Sequence, residues 1–229
     1  MKRIEMNESK IVAIGDVHGS DRWKHIVEQH PDDRIVFLGD YLDPYQYVPE
    51  EELVRNLQLI ISLKKEKSDS VVLLLGNHDL HYFCEDMAWG TRFNVRMMDV
   101  FFHLFMENIH LFQNAYQVDK TIFTHAGISH EWFVDDFKGN LDMPIAEQLN
   151  HPDQSQLEAL YRVGGERGGS SLLPGGIFWA DKRELSSPLY GYRQVVGHNR
   201  VEKIFHYKGD HDNEIIFCDC LWKGGYLVI

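Results

Sequence analysis

The 229-residue sequence predicts an α/β fold, and three patterns carry that prediction. Short apolar runs recur along the chain, and each stops at a glycine or a polar cluster. An amphipathic stretch of helical period lies between the second and third runs. Carboxylate and imidazole side chains gather just past the runs rather than within them.

The runs are Ile11–Ile14 before Gly15, 35–38 before Gly39, 71–75 before Gly76, 121–123 before Thr124 and 195–196 before Gly197. Uninterrupted apolar runs of this length read as strands buried on both faces, as in parallel sheets. Residues 51–67 place Leu53, Leu57, Ile60, Ile61 and Lys64 at helical spacing, with acids at the start and lysines at the end that complement the helix dipole. Residues 88–112 are rich in Met and Phe, and Val95, Met98, Phe102 and Phe105 predict one or two core-packed helices. The polar, Gly- and Pro-containing stretch 141–176 predicts a loop-rich insertion in a single domain spanning 1–229. Residues 214–220 and 226–229, on either side of Lys223-Gly224-Gly225, predict a strand pair joined by a short turn.

Composition excludes several classes. A hydrophobic share of 44% with 25% charged residues is that of an ordinary globular protein, not of a disordered or fibrous one. No apolar run approaches the length a bilayer needs, and the first residues lack the apolar core of a secretory signal, so a cytoplasmic protein is expected. Cys84, Cys218 and Cys220 are an odd number without zinc-site spacing and are expected to be reduced thiols. A net charge of -12 disfavours nucleic-acid and membrane surfaces, which attract basic patches. Surface carboxylates account for most of that charge, and a cluster of metal-binding carboxylates would add to it.

Asp16 and His18 follow the first run, Asp40 and Asp43 the second, Asn77, His78 and Asp79 the third, His125 the fourth and His198 the fifth. The rim past the C-terminal ends of the strands is where open α/β sheets bind ligands. One such cluster is ordinarily a turn or a helix cap. Five of them ending five strands predict one shared site, and a mixture of carboxylate, imidazole and amide suits Mn, Fe, Zn or Co.

The strings Gly15-Asp16-Val17-His18-Gly19, Gly39-Asp40-Tyr41-Leu42-Asp43, Gly76-Asn77-His78-Asp79, His125-Ala126-Gly127 and Gly197-His198 resemble the calcineurin-like metallophosphoesterase superfamily. The likeness is nearest to its serine/threonine phosphoprotein phosphatase branch and the bacterial relatives of that branch, and it extends over Arg92-Phe93-Asn94 through Phe102, on through Thr121 to Ser129, over Ile177-Phe178-Trp179-Ala180-Asp181 and over the closing Ile215 to Leu227. The resemblance implies a sandwich of two mixed β-sheets flanked by helices, with a dinuclear centre of two divalent ions, manganese first. It implies that Asp16 and His18 bind one metal, that Asp40 bridges, and that Asn77, His125 and His198 bind the other. It further implies a metal-bound hydroxide that attacks a phosphate monoester of a small molecule or phosphoprotein, with His78 as general acid oriented by Asp43. Phosphodiester or nucleotide pyrophosphate cleavage at the same centre is the alternative, and a non-catalytic metal-binding scaffold a more remote one.

The chain departs from the branch after Asp43, where Pro44 and Tyr45 replace an Arg-Gly pair, so a phosphate-binding arginine is missing. Arg183 is the first expected substitute, then Arg200, which stands where many superfamily members carry a further metal-binding histidine, and Arg167 last. Asn77 is expected to touch substrate as well as metal. Tyr41, Tyr45 and Tyr47 are expected to be packed or half-exposed loop residues, and His81, His130, His206 and His211 to be structural.

Overall fold

The computed structural model describes residues 9–84, 90–169 and 172–229. The N-terminal segment 1–8, Ala88 at the start of the Met- and Phe-rich stretch, and residues 170 and 171 of the polar stretch lie outside the described residues.

Two five-stranded sheets form the framework. In the first, β1 (Ile11–Ile14), β2 (Arg34–Phe37), β3 (Val71–Leu74) and β4 (Phe112–Gln113) run parallel, and β10 (Leu227–Val228) adds antiparallel to β1. In the second, β6 (Thr121–Thr124), β7 (Arg193–Val196) and β9 (Glu214–Phe217) run parallel, flanked by antiparallel β5 (Ala115–Val118) and β8 (Phe205–Lys208). The predicted pair at the chain end is therefore not a hairpin: β9 lies in the second sheet and β10 in the first. Lys223-Gly224-Gly225 supplies the turn, but the strand partners are chosen by distant edges that local turn chemistry does not specify.

Alternation along each strand divides the core. Ala13, Val36, Leu38, Val72 and Leu74 meet Phe123, Val195, Ile216 and Cys218 between the sheets. Val12, Ile14, Ile35, Phe37, Val71 and Leu73 face the helices on the other side. There α1 (Trp23–Gln29) and α2 (Glu50–Glu66) cover them. In α2 the predicted stripe of Leu53, Leu57, Ile60 and Ile61 is buried, each side chain contributing about 1.5–3 kcal/mol. Lys64 closes its C-terminal end by donating to the carbonyls of Ser68 and Val71.

The Met- and Phe-rich stretch forms α4 (Met98–Asn108), but its buried stripe is Met97, Phe101 and Phe105 rather than the stripe begun at Val95. Val95, Met98 and Phe102 are exposed. Both stripes are apolar, so the period alone does not choose between them. The 141–176 stretch contains α5 (Ile145–Asn150) and α6 (Leu157–Tyr161), whose Ile145, Leu149 and Leu160 are fully buried. No helix among the described residues is long and apolar enough to cross a membrane, and Cys218 and Cys220 are buried free thiols.

Candidate metal centre

The predicted polar residues do converge at the C-terminal ends of the central strands. The loop after β1 is tied to the loop after β2, because the Val17 and His18 amides donate to the Asp40 carbonyl at 3.0 and 2.7 Å. The short turn α3 (Asn77–Leu80) after β3 joins them through Asp79, whose carboxylate accepts from the amides of Asp40, Tyr41 and Gly76 at 2.8, 2.8 and 2.9 Å. Asp79 thus braces two loops. Asp40 Oδ1 accepts from the His78 amide at 2.8 Å, and the Asp16 carboxylate from the His198 amide at 2.9 and 3.1 Å. Glycine is required where these pieces touch. A Cβ on Gly76 or on Gly197 would lie 2.2 Å from an oxygen of Asp40 or Asp16.

Two overlapping clusters result, Asp16-His18-Asp40 and Asp40-His125-His198, with Asp40 in both. Asn77 completes the second, its Oδ1 lying 3.0 Å from His125 Nε2 and 3.0 Å from His198 Nδ1. The imidazole contacts decide what these atoms present to one another. His125 Nδ1 lies 2.7 Å from the Leu38 carbonyl and His18 Nδ1 lies 2.7 Å from the Leu42 carbonyl. A carbonyl only accepts, so each Nδ1 carries the hydrogen and each Nε2 turns a lone pair inward. The lone pair of His125 faces the Asn77 amide oxygen and, at 3.5 Å, Asp40 Oδ1. That of His18 faces Asp40 and Asp16 oxygens at 3.6 and 3.8 Å.

Acceptors facing acceptors in a buried cluster repel unless something positive lies between them. Protonating the rings does not supply it: burial holds His18 and His125 at pKa values of about 3, and His198 well below its usual value. Burial, with repulsion from neighbouring carboxylates, raises Asp16 and Asp40 well above the carboxylate range. His198 Nε2 and Asp219 Oδ2 are buried without a hydrogen-bond partner among the described residues. Neutral imidazoles, buried carboxylates and an amide oxygen form a donor set that fits divalent cations.

His78 lies beside this cluster, its Nδ1–H donating to Asp43 Oδ2 at 2.7 Å. His81 Nε2 is 2.8 Å from the same oxygen, and the Tyr82 hydroxyl donates to Oδ1 at 2.6 Å. Burial pushes the Asp43 carboxyl up, but these three partners more than offset it and hold its pKa below the ordinary value. His81, expected to be purely structural, therefore supports the His78–Asp43 pair. His130 stacks on Tyr190, His206 pairs with Glu214 and His211 lies against Tyr190, all without contact with the cluster.

The arginines fall in a different order from the one expected. Arg183 turns to Asp181 and Glu166 and is not brought to the cluster. Arg167 donates to Asn199 Oδ1 and pairs with Asp181, near enough to His125 and His198 to depress both. Arg200 lines a cleft of about 270 Å³ with Asp16, His18, Tyr45, Asp219 and Trp222. Sequence reasoning missed two residues here. Asp219 follows β9 just as the other polar residues follow their strands, so the strand-end rule could have found it. Arg92 donates from Nε to the Asp43 carbonyl at 2.9 Å and has Nη2 3.3 Å from His78 Nε2; the sequence marked it only as part of the Arg92-Phe93-Asn94 stretch of the family resemblance, without a role at the site.

The family profile of calcineurin-like phosphoesterases matches residues 9–218. Solved structures with a similar fold include a cold-active protein tyrosine phosphatase, with 18% identity over 94% of this chain and 70% of that one and a TM-score of 0.57. A protein serine/threonine phosphatase from Saccharomyces cerevisiae, similar to human phosphatase PP5, has 15% identity over 93% of this chain and 68% of that one, with a TM-score of 0.53. No curated protein sequence matches. With two mixed sheets, paired cation-fitting clusters at the strand ends and a family match over nearly the whole chain, this protein belongs to the calcineurin-like phosphoesterase family.

Proposed function

We propose that the chain is a phosphomonoesterase that works with two divalent cations held between Asp16, His18 and Asp40 on one side and Asp40, Asn77, His125 and His198 on the other. The observation that carries this reading is the convergence of acceptor atoms, fixed by the Leu38 and Leu42 carbonyls, on positions that divalent cations would satisfy. Bound there, the cations supply activation of water and neutralisation of phosphate charge. Manganese is the first choice, and imidazole with carboxylate also suits iron, zinc or cobalt.

The remaining steps fall to the protein's own groups. Water activated there would lose one proton to solvent, and as its oxygen bonds to phosphorus the ester P–O bond breaks and its electron pair leaves with the alcohol oxygen. His78, once protonated at the Nε2 that faces Arg92 Nη2 in the resting arrangement, gives that oxygen its proton. Asp43 keeps the ring oriented through Nδ1, and burial loosens the proton that His78 gives up. Asn77, whose Oδ1 lies between the His125 and His198 rings, would hold a cation and meet the incoming phosphate. One apolar cluster from Val12 to Leu221, including Ile145 and Leu160, supports a single domain with 141–176 as part of it. Free buried thiols at Cys218 and Cys220 support a reducing, cytoplasmic location.

Comparing hydrolysis of nitrophenyl phosphate with that of bis-nitrophenyl phosphate tests the substrate class. A preference for the monoester is expected. A preference for the diester would move the assignment to phosphodiester or pyrophosphate cleavage at the same centre.

A further inference from the structure

Apolar side chains occupy two faces of α4 and the turn that precedes it, and the core uses one of them. Met97, Phe101 and Phe105 are buried, whereas Val95, Met98, Phe102 and Met106 are 68%, 37%, 38% and 46% exposed. Their helical spacing stacks them along one side of the helix, so they form a stripe and not scattered surface residues. Single exposed apolar residues are ordinary, but a contiguous apolar patch marks an interaction surface. At the far end of the stripe, Met106 and Ile109 border an apolar cleft of about 570 Å³ that Leu80 and Phe83 also line.

The charges beside the stripe indicate what covers it. Arg96 lies at its start and Glu107 near its end, about three helical turns apart and on the same side. Both are exposed, and among the described residues neither forms an ion pair. A twofold axis perpendicular to the helix and midway between them sets Arg96 of each copy against Glu107 of the other, because an isologous contact pairs each residue with its counterpart in both directions. The same operation lays the two stripes face to face. It also carries Val95, the most exposed of the four, to the Met106 and Ile109 cleft of the second copy. In a chain of net charge -12, Arg96 set against Asp99 and Glu107 leaves this face close to neutral, so two copies meet here with little repulsion.

We propose that α4 is a self-association surface, on which two copies of this chain pack antiparallel through Val95, Met98, Phe102 and Met106 and close the contact with reciprocal Arg96–Glu107 ion pairs. An 11-residue helix is about 16 Å long. The face it presents is smaller than the roughly 800 Å² per partner of a standard stable interface, so the dimer is a weak one, formed at micromolar concentrations and above. No described contact joins these side chains to the cation-fitting cluster, and the inference stands apart from the phosphomonoesterase reading.

Sedimentation velocity of the full chain over rising concentration tests it. The wild type should sediment as a monomer at low micromolar concentration and shift towards a dimer in the hundreds of micromolar. Arg96→Glu and Glu107→Arg each bring like charges together at both symmetric contacts and should weaken the dimer about tenfold or more. The combined variant restores the pairs in reverse and should return to within about threefold of wild type. An equal mixture of the two single variants should dimerise as well, and Phe102→Ser should stay monomeric. These positions are exposed, so every variant should keep the wild-type melting temperature and metal content at low concentration. A wild type that remains monomeric at every concentration would overturn the proposal. So would a dimer that survives Phe102→Ser, that both single reversals leave unchanged, or that the combined reversal fails to restore.

Discussion

Replacing Gly76 by alanine tests how closely the centre is packed, because its backbone (φ -114°, ψ 172°) accepts any residue and space is the only obstacle. The new Cβ would lie 2.2 Å from Asp40 Oδ1, 2.5 Å from the Asp40 nitrogen and 2.8 Å from His125 Cε1. Relief to ordinary contact needs a displacement of roughly 1 Å, and a misplacement of that size at a reacting centre costs on the order of a hundredfold in rate. The displaced atoms are backbone and buried side chains already bonded to Asp79 and Leu38, so they cannot yield cheaply. Overpacking of this kind costs about 1–3 kcal/mol. In a chain of this length each kcal/mol lowers the melting temperature by roughly 2–4 °C. Gly76→Ala should therefore melt several degrees lower, bind less than the wild-type complement of metal and lose about two orders of magnitude in kcat. Differential scanning fluorimetry, elemental analysis and nitrophenyl phosphate kinetics read the three effects. An unchanged melting temperature, with metal content and kcat within twofold of wild type, would refute the reasoning.

Two further predictions concern the acid and the cations. His78→Asn should slow hydrolysis of an alkyl phosphate on the order of a hundredfold or more, and that of nitrophenyl phosphate much less, because nitrophenolate leaves without a proton. Equal losses on both substrates would remove His78 from the proton-transfer role. In the metal-free protein the raised carboxylates, with Asp79 at about 7 and Asp219 at about 6, keep protons that the unfolded chain gives up near 3.8, so they lower stability as pH rises through that window. His125, depressed to about 3, acts oppositely up to its unfolded value of 6.5 and adds nothing further above it. Bound cations keep the carboxylates ionised without that penalty. The melting-temperature gain on adding manganese should therefore be larger at about pH 8 than at about pH 5.5, and an equal or reversed gain would contradict the ligand set.

The parts of this fold that were legible in the sequence are those governed by local pattern. β1 and β3 are apolar throughout, and β2, β6 and β7 carry shorter apolar runs, Ile35 to Phe37, Ile122 to Phe123 and Val195 to Val196, where the strands are buried. The exposed strand β8 carries no such signal, since all four of its residues face solvent. The short β4 and β5 were equally silent. The proposed cation ligands stood out because strand ends are marked by glycines. What could not be read is non-local: the sheet that β10 joins, the brace formed by Asp79, and the approach of Arg92 from residue 92 to the ring of Tyr45. Arg183 looked suitable from its position near Asp181, and it is that carboxylate, together with Glu166, that turns it aside.

The central claim is that cations held around Asp40 carry the hydrolysis. Purified protein stripped of metal should be inactive on nitrophenyl phosphate, gain turnover when manganese is added, and show none in either state as Asp40→Asn. Turnover that persists in the stripped protein, or that survives in the Asp40→Asn variant, would contradict the account.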